Sequence, residues 1–128
     1  MNNYKFRGLT TKGEWIYGSL VVTTNWLKQL PKQHTKTWII ESSFGNGGWF
    51  NIMRKEYVRP ETVGQFTGFF DNNGKEIYRK DMFNTGAIVE WVKDGWFAVM
   101  GDYEVRLSDY LKNDRDRYIS GNIHENIN

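Results

Sequence analysis

Side chains able to do chemistry are sparse in this sequence, and their spacing decides what each can do. His34 and His124 are the only histidines. Neither has a ligand partner four residues away, and no HExxH-like or His-rich motif accompanies them, so zinc has no framework. The absence of cysteine excludes disulfides, thiolate catalysis and Cys-ligated zinc. Asp71-Asn72-Asn73-Gly74-Lys75-Glu76 has the composition of a calcium loop. Such a loop needs Gly at position six and Glu at position twelve, yet counting from Asp71 puts Glu76 and Met82 there. Turn chemistry is the better reading. Asp71, Glu76 and Asp81 could pair for acid–base work, but solvated surface carboxylates are the default for these residue types. Phe44-Gly45-Asn46-Gly47-Gly48-Trp49 is glycine-rich but lacks the Lys-Ser/Thr and following helix of a phosphate loop. A hairpin turn is expected there. No nucleophile elbow favours a Ser-His-Asp arrangement. No cofactor is implied.

A binding pattern is better represented than a catalytic one. Trp26, Lys28, Lys32, His34, Lys36, Trp38, Trp49, Arg54, Lys55 and Arg59 all fall in the first half of the chain. Aromatic platforms beside phosphate-binding cations are how small barrels hold single-stranded nucleic acid. In the blander reading Trp38 and Trp49 are core residues of adjacent strands, and the cations form a solvated face. The candidate interaction surface is Trp26, Lys28, Lys32, Lys36, Trp49, Arg54, Lys55 and Arg59. Charge is unevenly spread along the chain. Residues 1–60 hold nine Lys or Arg against three Asp or Glu, giving +6, and residues 61–128 hold eight against twelve, giving −4. Such asymmetry fits an anionic partner or complementary self-association; folding can also interleave the halves and cancel the field.

The elements that must position these residues read as strands. At 128 residues the chain is one domain, with room for two small lobes. Six Trp, seven Tyr and eight Phe can fill a small core, and thirteen Gly lean the class towards β. Tyr4–Leu9 and Glu14–Val22 are expected strands around a turn at Thr10–Gly13. Residues 23–35 read as an irregular polar loop, followed by strands at Thr37–Glu41 and Trp49–Met53. Thr62–Phe70 and Glu76–Tyr78 form a hairpin, with Asn73-Gly74 supplying positive φ. Gly64 and Gly68 within it mark a bulge or a close backbone approach. Ala87–Val92 and Trp96–Met100 form a second hairpin, then Tyr103–Leu107 a strand. Ser108 is expected to cap a short helix at Asp109–Asn113, and Arg117–Ile123 closes the series. Short strands at this spacing predict a barrel or sandwich. The first residues have no apolar signal-peptide core, and no apolar run approaches the roughly twenty residues of a membrane span. A soluble cytoplasmic protein is expected.

Lys5-Phe6-Arg7-Gly8, Glu14-Trp15-Ile16-Tyr17-Gly18-Ser19-Leu20, the run ETVGQFTG from Glu61 with NGKEIY from Asn73, and Ser120-Gly121-Asn122-Ile123 with Glu125-Asn126 occur in that order. Together they resemble the YopX family of small proteins carried by bacteriophages and prophages. The resemblance spans Lys5 to Asn126 and implies a mainly β fold. An SH3-like barrel would occupy the C-terminal part (residues 61–128), with additional N-terminal strands and insertions before it and little helix. It further implies phage origin and residence in the host cytoplasm. It carries over no catalytic residue, because none is established for the family. The chain departs from the family after Tyr78, where Arg79-Lys80-Asp81 replaces an acidic residue, Gly and Asp. Either the turn here does not need positive φ, or it adopts it at a cost. The functional expectation is a non-enzymatic interaction or assembly module that self-associates or binds a protein. The alternative is a nucleic-acid binder using the basic aromatic half. No membrane partner is expected.

Overall fold

The computed structural model describes residues 5–25, 34–44 and 50–124, and within them the chain is mainly β, with eleven strands and one helix. It divides into two compact units, Tyr4–Val63 and the residues from Gly64 onward.

In the first unit β1 (Phe6–Leu9), β2 (Trp15–Asn25), β3 (His34–Phe44) and β4 (Phe50–Tyr57) form an antiparallel meander. Each strand pairs with the next. Leu20 stands opposite Ile39, and one residue along Val21 stands opposite Trp38, itself opposite Tyr57. Because side chains alternate between faces, these two rows point to opposite sides of the sheet. Ile16, Ile39 and Val58 are buried on one side, with Phe6, Leu20 and Val63 packed around them. The Val21, Trp38 and Tyr57 row lies on the other. Strands β2 and β3 run further than expected, through Thr23–Asn25 and His34–Lys36. The β-branched threonines there suit a pleated ladder, so polarity was a poor guide to loop structure. Gly18 answers a close approach: an added Cβ would lie 2.1 Å from the Ile40 carbonyl oxygen.

In the second unit β5 (Gly64–Phe70) and β6 (Glu76–Tyr78) form the expected hairpin. Its register shifts between Phe66 and Phe70, where Gly68 has φ of 86°, and a Cβ on Gly64 would meet the Arg79 carbonyl oxygen at 2.9 Å. Both glycines therefore do what strand glycines were expected to do. In the connecting turn Gly74 alone takes positive φ, 84°, whereas Asn73 does not. The Gly74 amide bonds back to the Asp71 carbonyl at 3.0 Å, and the Asp71 amide to the Lys75 carbonyl at 2.8 Å. One left-handed residue after an ordinary turn is enough for this loop.

A five-stranded antiparallel sheet follows: β7 (Asp81–Phe83), β8 (Ile88–Val92), β9 (Gly95–Met100), β10 (Tyr103–Arg106) and β11 (Ile119–Asn122). Its order is β10-β9-β8-β7-β11. The first and last of these remain at opposite edges, so the sheet forms no closed barrel among the described residues. The short β7 was not expected as a strand. Three residues after a charged pair carry too little alternation to read. Helix α1 (Leu107–Asn113) begins earlier than expected, after Arg106, and has no side-chain cap. Ser108 lies inside its first turn and does not cap it. Phe83, Val89, Ala98, Leu107, Tyr110 and Ile119 belong to the buried cluster that holds these elements together.

Candidate functional site

The face of the first sheet opposite its core carries an aromatic and cationic cluster. Lys36 and Trp38 are two apart on β3, and Lys55 and Tyr57 two apart on β4, so each pair shares a face. The register places Trp38 opposite Tyr57. Their ring centroids are 3.6 Å apart with planes inclined by 32°. The Lys55 Nζ sits 4.2 Å from the centre of the Trp38 ring. The Lys36 Nζ donates to the Tyr57 hydroxyl at 3.3 Å and lies 5.2 Å from that ring's centre. From β2, Thr23 accepts a bond from the Trp38 indole Nε1 at 3.2 Å. Tyr57 keeps 42% of its surface exposed. Each ring thus has a lysine of its own above it, and an exposed cation–aromatic contact contributes on the order of 0.5–1 kcal/mol.

The residues expected to form an interaction surface are divided by this geometry. Lys36 and Lys55 meet on the aromatic face. Arg54 points to the other face, where its Nη2 binds the Glu14 carboxylate at 2.7 Å and its Nε the Glu56 carboxylate at 3.4 Å. The Glu14 hydrogen bond, opposed by burial and reinforced by Glu56, raises the affinity of the Arg54 guanidinium for its proton. Arg59 is exposed beyond the end of β4, with its amide bonded to the Leu9 carbonyl at 2.9 Å. Trp26, Lys28, Lys32 and Trp49 lie outside the described residues, as does the glycine-rich loop at 45–49. Trp38, read in one alternative as core, is half-buried on the aromatic face. Sequence reasoning missed Tyr57 and Thr23. The signal was present in the two-residue spacing from Lys55 to Tyr57, had β4 been extended that far.

The carboxylates considered for acid–base work are bound up in the fold. Asp71 and Asp81 are 6% and 1% exposed, not solvated as expected. Asp71 accepts from the amides of Asn73 and Lys75 through Oδ1, at 2.9 and 2.8 Å, and from Ile119 through Oδ2 at 2.9 Å. Asp81 accepts from the Tyr78 amide at 2.7 Å. A buried carboxylate persists when it satisfies backbone donors that would otherwise be orphaned. Lys80, standing where the resembled family has Gly, adopts φ of 74°. The left-handed conformation is therefore kept at a cost, and bonds hold it: the Lys80 amide to the Val89 carbonyl at 2.8 Å, and its Nζ to Glu90 at 2.5 Å. Burial works to raise the Glu90 carboxyl, but hydrogen bonds from Lys80 and then Arg79 prevail and hold it below the ordinary 4.5. No cluster of three or more metal-ligating side chains is found among the described residues. Nor is any described helix long and apolar enough to cross a membrane.

The fold and its aromatic face define a mainly β protein with a sheet surface suited to contact. The family model described as YopX protein matches residues 5–128, nearly the whole chain, and the protein belongs to the YopX family. No curated protein matches it.

Proposed function

We propose that this YopX-family protein is a phage accessory protein without enzymatic activity of its own, acting in the host cytoplasm by assembling with further copies of itself. The observation that supports this most directly is the partition of charge between its two compact units. Tyr4–Val63 holds nine Lys or Arg against four Asp or Glu, giving +5, whereas the unit from Gly64 onward holds eight against eleven, giving −3. Every copy then carries unlike surfaces that attract a neighbour's. The commitment of Asp71 and Asp81 to backbone amides supports a scaffold role for both carboxylates. Light scattering at low and high salt tests the reading. The expected result is a multiple of the 15.1 kDa chain that shrinks as salt screens the attraction. A monomer at every concentration and salt overturns it.

A second reading, a binder of single-stranded nucleic acid, is favoured by one specific observation: Lys36 and Lys55 flank the Trp38–Tyr57 pair on the sheet's outer face. Fluorescence anisotropy with single- and double-stranded DNA and RNA separates the readings. No binding at low salt, where electrostatic affinity is greatest, removes this one.

A further inference from the structure

We propose that the face carrying Lys36 and Lys55 on one copy receives the acidic Asp102–Glu104 corner of another. The proposal rests on the self-association reading and assigns it a contact. In the receiving half, the register sets Lys55 two residues to one side of the Trp38–Tyr57 pair, and Lys36 lies two residues to the other. The ring platform therefore ends in a cation on each side, and both lysines are exposed. Their contacts are with the two rings and the Tyr57 hydroxyl. Among the described residues neither ammonium meets a carboxylate.

The inserting half is the hairpin of β9 and β10. Met100 stands opposite Tyr103 across a two-residue turn, where Gly101 takes the positive φ, 59°, that such a turn needs at its first position. Tyr103 is the most exposed large apolar side chain described, at 71%, and Met100, sharing its face, is 47% exposed. Asp102 and Glu104 bracket that tyrosine, both exposed, and neither carboxylate has an ion-pair partner among the described residues. Glu90 and Asp94 in the same unit are already held, by Lys80 and Arg79 and by Arg106. Complementarity selects the occupant: one exposed ring between two anions meets two rings between two cations. The charges orient the approach, and the rings supply the apolar area. Every copy carries both halves, so the contact repeats from copy to copy.

A charge-swap experiment on the full-length chain, read by light scattering at low salt, tests the pairing. Lys36→Glu with Lys55→Glu makes the face acidic and leaves the corner acidic. Asp102→Lys with Glu104→Lys makes the corner basic and leaves the face basic. Each variant alone should self-associate at least about tenfold more weakly than the parent, because like charges now oppose. Mixing the two sets an acidic face against a basic corner, and a basic face against an acidic corner, and should recover that loss. All four positions are exposed, so both variants should keep the far-ultraviolet circular dichroism of the parent. A parent that is monomeric at every concentration and salt overturns both self-association and this contact. A parent that assembles, with variants that assemble equally well, overturns the contact alone and assigns the face to another occupant. Variants that each fail and stay apart when mixed overturn the pairing of this face with this corner.

Discussion

In the unit that begins at Gly64, six buried side chains close around Phe83 and Tyr110, with Phe69, Trp96, Val105 and Leu111 packed against them. In the unit that precedes it the buried cluster is Ile16, Ile39 and Val58, and Trp38 and Tyr57 stand on the opposite face under lysines. One unit places its large rings where they exclude water from a core. The other leaves rings where they can meet a second molecule, and builds its interior from aliphatic side chains. Large aromatic side chains bury much area when enclosed; the later unit encloses Phe83 and Tyr110, although it too leaves Phe70, Trp91, Tyr103 and Tyr118 exposed. The contrast assigns the larger enclosed core to the later unit.

Cutting each core tests that division most severely. Phe83 is fully buried and in edge-to-face contact with Tyr110 at 4.9 Å. Phe83→Ala should cost about 3–5 kcal/mol, and Ile39→Ala, equally buried in the smaller cluster, about 2–4 kcal/mol. Urea unfolding monitored by far-ultraviolet circular dichroism measures both. If Ile39→Ala proved the costlier, the smaller cluster would be the more stabilising one and the contrast would reverse.

The earlier unit also depends on a backbone contact that involves no core side chain. Gly18→Ala places a methyl 2.1 Å from the Ile40 carbonyl oxygen, which is backbone and cannot rotate away. Prying β2 from β3 at that point should cost roughly 1–3 kcal/mol, the range for overpacking. Gly13→Ala is a useful control, because a Cβ there meets nothing within 4 Å and only its φ of 85° resists. The control should lose about 1–2 kcal/mol from strain alone. Gly18 has a positive φ of its own, 157°, so Gly18→Ala should lose more than the control; a loss no larger than that of Gly13→Ala would mean that steric contact at Ile40 contributes nothing.

Much of this contrast could be read before the fold was known. Hairpins with a strong local turn, such as Glu76–Tyr78 returning from Phe70, were legible because Gly74 and the alternating apolar residues act within a few positions. The division of the interaction residues between faces was not. It depends on which residue of β4 stands opposite which residue of β3, and Lys55 and Arg54 differ by a single step. Register is set by pairing across the sheet, which the local sequence does not state. Asp71 likewise looked like a solvated turn residue, since its bond to the Ile119 amide joins positions far apart in the chain.

The later unit offers a smaller, pH-dependent test. Glu90 accepts from Lys80 and Arg79, and its proton affinity is lowered relative to an ordinary carboxyl at 4.5. A depressed folded-state value means that the carboxylate stabilises the fold fully above 4.5 and ceases to do so as pH falls through the lower folded value. Glu90→Gln should therefore be less stable than the parent at neutral pH by about 1 kcal/mol or less, given the pair's partial exposure. The two should converge in acid. A gap that stays constant from neutral to acid pH would show that the pair does not carry the effect.

The smallest expected change in stability lies on the aromatic face and carries the most functional information. Lys55→Ala and Lys36→Ala each remove an exposed ammonium from a ring and should cost about 0.5 kcal/mol, near the limit of a denaturation curve. If that face only covers its own rings, the double variant should behave like the parent towards single-stranded DNA at every salt concentration. If it holds a phosphate backbone, each lost lysine should reduce the salt dependence of the binding constant by about 0.7 in logarithmic slope, so the double variant falls by roughly 1.4. A loss of affinity without that change in slope would point to altered ring positions, because removing a phosphate contact must remove its counterion release as well.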